Sequence, residues 1–225
     1  MKFFAINGSH RKDGNTAQLL EKALEGIHSV CSDAEIESVN LYDIPFNGCK
    51  SCFACKKING RHYGKCVYKD DFKPILEKIV QADGVILGSP VYFGDVSGVM
   101  RCFLERFIFP FFVYDEDMTS LAPKKMAIGC IYTMNLDEET ARQLSYHDLF
   151  DKNEFVLEKM FTKPIHLYSY DTYQFDYSKY KMELFTEDEK LKTRKTQFPI
   201  DLENAFKLGE KIAIGAKQHD WLQIR

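Results

Sequence analysis

The sequence predicts an α/β protein in which helices cover both faces of a parallel sheet. Apolar runs typical of buried strands alternate with amphipathic stretches typical of helices along the first three-quarters of the 225 residues. An apolar content of 45% and a charged content of 28% are ordinary for a globular chain. A chain of this length fits one domain, and we expect a single domain over residues 1–225.

The first elements follow one another closely. The apolar run that begins at Phe3 predicts a strand at 2–6, and the amphipathic pattern after it predicts a helix at 15–30. A strand is expected at 34–42 and a helix at 72–82. This order of strand, helix, strand and helix is the repeating unit of a parallel sheet.

The remaining elements continue the alternation. The apolar run Gly84–Gly88 predicts a strand, and Ser97 is a suitable N-cap for the helix after it. The later elements are expected in the order strand 125–132, helix 137–161, strand 164–169 and helix 200–216.

Two long segments do not fit a minimal five-stranded unit. Residues 43–71 form a cysteine-rich insertion, whereas such connections usually take about 2–6 residues. Residues 170–225 form a C-terminal extension and helix, and its part 170–199 shows little helical periodicity. We expect both segments to serve function or assembly.

Composition and charge exclude several classes of partner. A net charge of −3 argues against nucleic acid and anionic membranes, and no apolar run approaches the ~20 residues of a membrane helix. A strand is expected directly after Met1 and Lys2, which leaves no room for a signal peptide. Seven cysteines without a secretion signal indicate a reducing compartment, so we expect a cytoplasmic protein.

The turn at 8–16 has the chemistry of an anion site. It joins a buried strand to a helix whose first N–H groups lack intrahelical partners. The Lys of a triphosphate-binding loop and the spacing of a dinucleotide fingerprint are both absent, which favours a terminal phosphomonoester. The alternative is a turn that only caps the helix, with Asn15 or Thr16 as N-cap. The residues expected to hold the phosphate are Ser9, His10, Arg11, Gly14, Asn15 and Thr16.

A second loop, expected to be extended and stiffened by Pro90, follows the third predicted strand and carries two neighbouring aromatics, Tyr92 and Phe93. These side chains can wall a planar ring system, while backbone N–H groups bond its polar edge. The alternative is a plain strand-to-helix loop whose aromatics belong to the core. The residues expected to contact such a ring are Ser89, Pro90, Val91, Tyr92, Phe93 and Gly94.

The two loops together resemble the NAD(P)H-dependent FMN reductase family of the flavodoxin-like superfamily. The resemblance rests on Gly8-Ser9-x-Arg11-x-x-Gly14-Asn15-Thr16 and Ser89-Pro90-Val91-Tyr92, and it covers about residues 1–170. It implies a doubly wound, flavodoxin-like sheet of strand order 2-1-3-4-5 with FMN at the switch point. The phosphate is then expected on 8–16, the isoalloxazine against 89–94, and a third contact at Thr133 in the loop after the fourth strand.

The cysteine-rich insertion makes the chain most similar to the iron–sulfur flavoprotein branch of that family. Cys49, Cys52 and Cys55 have C-x2-C-x2-C spacing, and Cys66 could complete the ligand set of a 4Fe–4S cluster. Zinc is a second interpretation, and reduced thiols that shape the flavin pocket or a subunit interface are a third. The remaining cysteines, Cys31, Cys102 and Cys130, are expected to act as small apolar residues.

These features predict an FMN-dependent oxidoreductase that takes electrons from NAD(P)H and passes them to a quinone, flavin, nitro compound or protein. No side chain is assigned as a catalytic acid or base, because the cofactor carries the chemistry. The alternatives are a non-enzymatic electron carrier of the flavodoxin type and a thiol or metal redox sensor.

We also expect a homodimer or homotetramer. The aromatic cluster 107–114 is expected to be core or, at its far end, a subunit surface that roofs the flavin. Arg106 is expected to pair with Asp95 or Glu105, and Trp221 to pack on the domain or on a neighbouring subunit.

Overall fold

A computed structural model describes residues 1–218, and a parallel sheet lies at its centre. The strands are β1 (Lys2–Asn7), β2 (Glu35–Asn40), β3 (Gly84–Tyr92), β4 (Asp95–Val96), β5 (Ala127–Thr133) and β6 (Ile165–Ser169). The sheet order is β2-β1-β3-β5-β6, and the short β4 pairs antiparallel with the end of β3. With β4 set aside, this order is the predicted 2-1-3-4-5 arrangement. Trp221 lies outside the described residues.

Helices cover both faces of the sheet because each buried strand directs alternate side chains to opposite sides. The helices are α1 (Asn15–Val30), α2 (Lys73–Ile79), α3 (Gly98–Ile108), α4 (Glu138–Gln143), α5 (Tyr146–Met160), α6 (Glu187–Thr196) and α7 (Phe198–Gln218). Phe3 and Ala5 of β1 pack in one apolar cluster with α1 and α7, whereas Phe4 and Ile6 pack in the other with α2, α3 and α5. None of these helices has the length and apolar character needed to cross a membrane.

The single helix predicted at 137–161 is wrong, because the structure has two helices there. Ser145 separates α4 from α5 and has a left-handed backbone with φ of 55°. Neither Gly nor Pro marks this break, so the sequence carried no ordinary helix-stop signal.

The segment 170–199 contains a helix that its weak periodicity did not predict. Nine of ten residues in α6 are polar, so there is no apolar stripe to detect. Its start does carry a signal, because Thr186 and Glu189 form a reciprocal capping box. The structure therefore adds α6 to a segment for which the sequence analysis assigned no helix.

The aromatic cluster 107–114 divides as expected between core and surface. Phe107 and Phe111 are buried, and Phe107 stacks on Phe161 at a ring distance of 4.7 Å. Tyr114 at the far end is 67% exposed, which leaves an aromatic surface beside the sheet.

An ion pair between the exposed His166 and the buried Glu154, on the α5 side of the sheet, gives the fold a testable pH dependence. His166 Nδ1 lies 2.9 Å from Glu154 Oε2, and this hydrogen bond raises the pKa of His166 above its ordinary value of 6.5. The stability that this hydrogen bond gives the folded protein is fully present below the ordinary pKa of histidine. It is lost as the pH rises through the raised pKa of His166 in the folded state. We therefore expect the Tm advantage of the wild type over His166→Gln to shrink as the pH rises from below 6.5 to values above the raised pKa.

Thermal unfolding of both proteins across this pH range is the measurement. His10→Gln is the matched control, because His10 is exposed and forms no such pair in the described chain. A His166→Gln profile parallel to that of the wild type would contradict the assignment.

Candidate functional site

The turn after β1 is held against the neighbouring strand. Gly8 N donates to Gly88 O at 2.8 Å, and a Cβ on Gly8 would lie 3.0 Å from Ser97 Oγ. Ser9 is buried, and its Oγ accepts from Arg11 N at 3.2 Å, which curls the chain toward α1. The turn is thereby fixed beside the point where the sheet order reverses, between β1 and β3.

The N-terminus of α1 is open to an anion. Gly14 is the N-cap and makes no side-chain capping bond, so neither Asn15 nor Thr16 is the cap considered as the alternative. The intrahelical ladder begins with Gln18 N donating to Gly14 O at 3.0 Å. The preceding N–H groups of the helix start point along the positive end of the macrodipole.

Three loops meet at this edge of the sheet. Ser97 Oγ donates to Gly8 O at 2.7 Å, and Ser97 N donates to Ser89 Oγ at 2.9 Å. Thr16 Oγ1 and Thr133 Oγ1 form a buried hydrogen bond of 2.7 Å. These bonds join the turn after β1 to β3, and the start of α1 to the end of β5. Ser97, expected only as an N-cap, is also the bridge between the turn after β1 and β3.

The loop after the third strand is a tight hairpin and not the extended loop expected from the sequence. β3 continues to Tyr92, and Val91 pairs with Val96 of β4. Phe93 and Gly94 both have positive φ, 52° and 83°, as in a type I′ turn. Phe93 is fully exposed and Tyr92 is 54% exposed, so the two aromatics stand out from the sheet edge and are not core.

Two predicted phosphate-site side chains are engaged by the C-terminal extension. Arg11 Nη1 donates to Gln174 O and Asn15 Nδ2 donates to Tyr173 O, each at 2.8 Å. His10 is exposed and makes an edge contact with the ring of Tyr42 at 5.3 Å. The sequence did not predict the extension at this site, because residues about 160 positions away carry no local signal.

The four cysteines of the insertion line one cavity of about 330 Å³, beside Glu105 and Arg106 of α3. Cys55 is buried, Cys66 is half-buried, and Cys49 and Cys52 are exposed. Burial raises the pKa of the Cys55 thiol, and burial also lowers the pKa of Lys56 next to it. Residues 1–218 contain no ready-made group of three or more His, Cys, Asp or Glu that could hold a metal ion.

The backbone around these cysteines has unusual geometry. Ser51 and Phe53, on either side of Cys52, have φ of 52° and 56°. Such left-handed residues are costly and concentrate at functional sites. Ser51 N also donates to Cys49 Sγ at 3.5 Å, the kind of bond that tunes cysteine ligands of iron–sulfur clusters.

Arg106 does not pair with Asp95 or Glu105. Its guanidinium binds the Asp70 carboxylate and is only 1% exposed, whereas Asp95 pairs with Arg101 at 2.7 Å. Arg106 Nε is buried without a hydrogen-bond partner and belongs to the side chain that lines the cysteine cavity. Local spacing suggested the wrong partner because Asp70 is 36 positions away.

Solved structures share this fold. A NAD(P)H:quinone oxidoreductase from Methanothermobacter marburgensis has a TM-score of 0.63 at 14% identity, with 93% of this chain and 94% of that chain covered. An FMN-dependent NADH-azoreductase from Bacillus anthracis in complex with FMN has a TM-score of 0.61 at 13% identity, with 97% and 99% covered. At such identities the likeness establishes the flavodoxin-like fold.

Curated relatives match by sequence. An iron–sulfur flavoprotein of Methanocaldococcus jannaschii is 42% identical over 106 residues, which are 47% of this chain and 51% of the relative. A putative NAD(P)H-dependent FMN-containing oxidoreductase of Bacillus subtilis is 31% identical over 106 residues, again 47% and 51%. The chain spans about half the length of the curated relatives it matches.

The sequence pattern described as NADPH-dependent FMN reductase matches residues 1–147. This range contains the turn at 8–16, the hairpin after β3, Thr133 and the cysteine-rich insertion. The predicted family is thus confirmed: the chain belongs to the NADPH-dependent FMN reductase family.

Proposed function

We propose that the protein is an FMN-dependent oxidoreductase that takes electrons from NAD(P)H and passes them to a quinone, flavin, nitro compound or protein acceptor. The convergence of the carboxyl ends of β1, β3 and β5 at the switch point, where the Thr16–Thr133 bond joins the start of α1 to the end of β5, is the observation that carries this proposal. The family match and the FMN named in a structural neighbour support it.

The residues at this edge fit FMN. The open start of α1 offers backbone donors for the phosphate, with Ser9, Arg11 and Asn15 beside it. The exposed rings of Tyr92 and Phe93 offer apolar surface to the isoalloxazine. When bound, FMN supplies hydride acceptance and one- or two-electron transfer. The chain's part is to hold the phosphate, orient the ring and limit access of water to it.

We propose that Cys49, Cys52, Cys55 and Cys66 would hold a 4Fe–4S cluster, and since residues 1–218 contain no preformed metal-binding group, these side chains would draw together around it. Thiolates are the ligands of such clusters, and all four cysteines line the same cavity. A curated relative is named an iron–sulfur flavoprotein, and this name supports a 4Fe–4S cluster over zinc or free thiols. The cluster would pass single electrons between flavin and acceptor.

A second copy of the chain would complete the site. Phe93 and Tyr114 are large aromatics left in solvent, and surfaces of this kind are typical of subunit contacts. We include a homodimer or homotetramer in the proposal for this reason.

The test is purification without oxygen, followed by assays of flavin, iron, sulfide and NAD(P)H oxidation. We expect one FMN per chain, and about four irons per chain that are lost in the Cys52→Ser/Cys55→Ser variant while FMN is retained. Cys31→Ala is the matched control, because Cys31 lies at the end of α1, outside the cavity.

The outcomes separate the parts of the proposal. A protein that neither contains FMN nor binds added FMN would overturn the function. Bound FMN without NAD(P)H turnover would instead indicate an electron carrier. If the wild type contains no iron, or if the double cysteine variant keeps its iron, the proposed cluster at these cysteines is wrong. The protein would then be a reductase that uses flavin alone.

A further inference from the structure

The C-terminal segment 170–197 lies against the turn expected to hold the flavin phosphate. Besides its bonds to Arg11 and Asn15, it places Phe175 under the Arg11 guanidinium at 5.4 Å. It is anchored at the loop after β5, where buried Lys190 donates to Asn135 O. The segment therefore spans two of the three loops that form the candidate site.

Arg194 of α6 is a cationic residue of this segment that also reaches the start of α1. Its Nη1 donates to Asn15 Oδ1 at 3.0 Å, and its Nη2 donates to Gln18 Oε1 at 2.8 Å. The guanidinium also lies 4.0 Å from the ring centre of Phe198. Both acceptors are neutral amides, so these bonds fix the guanidinium without balancing its charge.

Neither Arg194 nor Arg11 has a counter-charge within the described chain. No carboxylate oxygen of residues 1–218 lies within 4.0 Å of either guanidinium. Two acids of the same segment are engaged by other groups. Asp171 accepts from Lys190 and Thr193, and Glu187 accepts from Tyr173.

The position of Arg194 is unfavourable for a cation unless an anion is present. Burial lowers the pKa of Arg194, which shows that its charge is partly removed from water. It lies at the positive end of the α1 dipole, and the first turn of α1 contains no acidic residue. By contrast, the first turn of α6 contains three acidic residues.

We propose that Arg194 supplies the counter-charge for the phosphate of FMN, so that the C-terminal segment makes the site selective for the phosphorylated flavin. This rests on the proposed function. A phosphate monoester carries about 1.5 to 2 negative charges at pH 7, and a guanidinium pairs with it in a fixed geometry. The selectivity therefore comes from a residue outside the range matched by the family.

Titration of the flavin-free full-length chain with FMN and with riboflavin isolates the phosphate contribution. We expect Arg194→Gln to weaken FMN binding about tenfold to a hundredfold and to leave riboflavin binding unchanged. Arg194→Lys should keep most of the preference for FMN, because it keeps the charge. Lys195→Gln is the matched control. Lys195 is exposed, and this substitution removes the same positive charge one position away from Arg194.

A purely structural role predicts a different pattern. If Arg194→Gln retains the preference as well as Arg194→Lys does, or if both flavins weaken equally, Arg194 only holds the segment and the proposal is wrong. A changed preference for NADPH over NADH at an unchanged FMN-to-riboflavin ratio would show that Arg194 binds the adenosine 2′-phosphate of NADPH, and would also overturn the proposal. A wild type that binds neither flavin would refute the proposed function itself.

Discussion

Gly209→Ala is expected to lower the free energy of unfolding by at least about 3 kcal/mol, at the upper end of the cost of overpacking. The reason is the contact between α1 and α7. A Cβ on Gly209 would lie 1.8 Å from Ala23 O, and a Cβ on Gly26 would lie 2.0 Å from Phe206 O. Because both obstacles are backbone atoms, no side-chain rotation relieves them, and the helices must separate.

Separation of these helices would open the apolar cluster on that face of the sheet. Leu19 and Ile27 of α1 pack there with Leu208 and Ile212 of α7, all nearly inaccessible to water. A loss of about 3 kcal/mol is a large fraction of the 5–15 kcal/mol typical of a domain. Urea unfolding followed by circular dichroism measures it.

Gly98→Ala is the matched control for this substitution. Gly98 is also helical, at the start of α3, but nothing lies within 4 Å of a Cβ built on it. Alanine at such a position leaves stability unchanged or raises it by up to about 1 kcal/mol. If Gly209→Ala and Gly98→Ala had similar stabilities, the close crossing of α1 and α7 would be wrong.

Local patterns in the sequence predicted the parallel sheet well. The apolar run at Phe3 and the turn chemistry after it specify a strand, an anion-binding loop and a helix within about 30 residues. The structure confirms their order, and the family match confirms the family that the two loops resemble. The individual cofactor and metal ligands remain predictions.

Local sequence patterns could not predict contacts between residues that are far apart in the chain. Arg194 meets Asn15 across 179 positions, and Arg106 meets Asp70 across 36. Rules based on spacing along a helix describe only residues a few positions apart. They therefore suggested Asp95 as the ion-pair partner of Arg106, and they suggested no partner for Arg194. The start of α6 differs from these cases, because the capping box of Thr186 and Glu189 is a local pattern that predicts a helix start.

Arg106→Met is expected to cost about 3–5 kcal/mol of stability, the effect of breaking a buried ion pair by removing one partner. The side chains of Arg106 and Asp70 are 1% and 11% exposed, so the Asp70 carboxylate would remain buried without a counter-charge and with little access to water. Arg106 also donates to Asn47 O and Tyr68 O, each at 3.4 Å. Urea unfolding of the single variant and of Arg106→Met/Asp70→Asn should show partial recovery in the double variant, because its buried side chain is neutral.

The same substitution should loosen the cysteine cavity, because the residues held by Arg106 flank the cysteines. Asn47 precedes Cys49, and Tyr68 follows Cys66, so one buried guanidinium ties both ends of the insertion to α3. We therefore expect faster alkylation of the Cys55 thiol in cluster-free Arg106→Met than in the cluster-free wild type under native conditions. Arg101→Met is the control: its pair with Asp95 is about one-third exposed and should be worth less than about 1 kcal/mol. Equal stability losses and equal alkylation rates in the two variants would show that the buried pair does not hold the insertion.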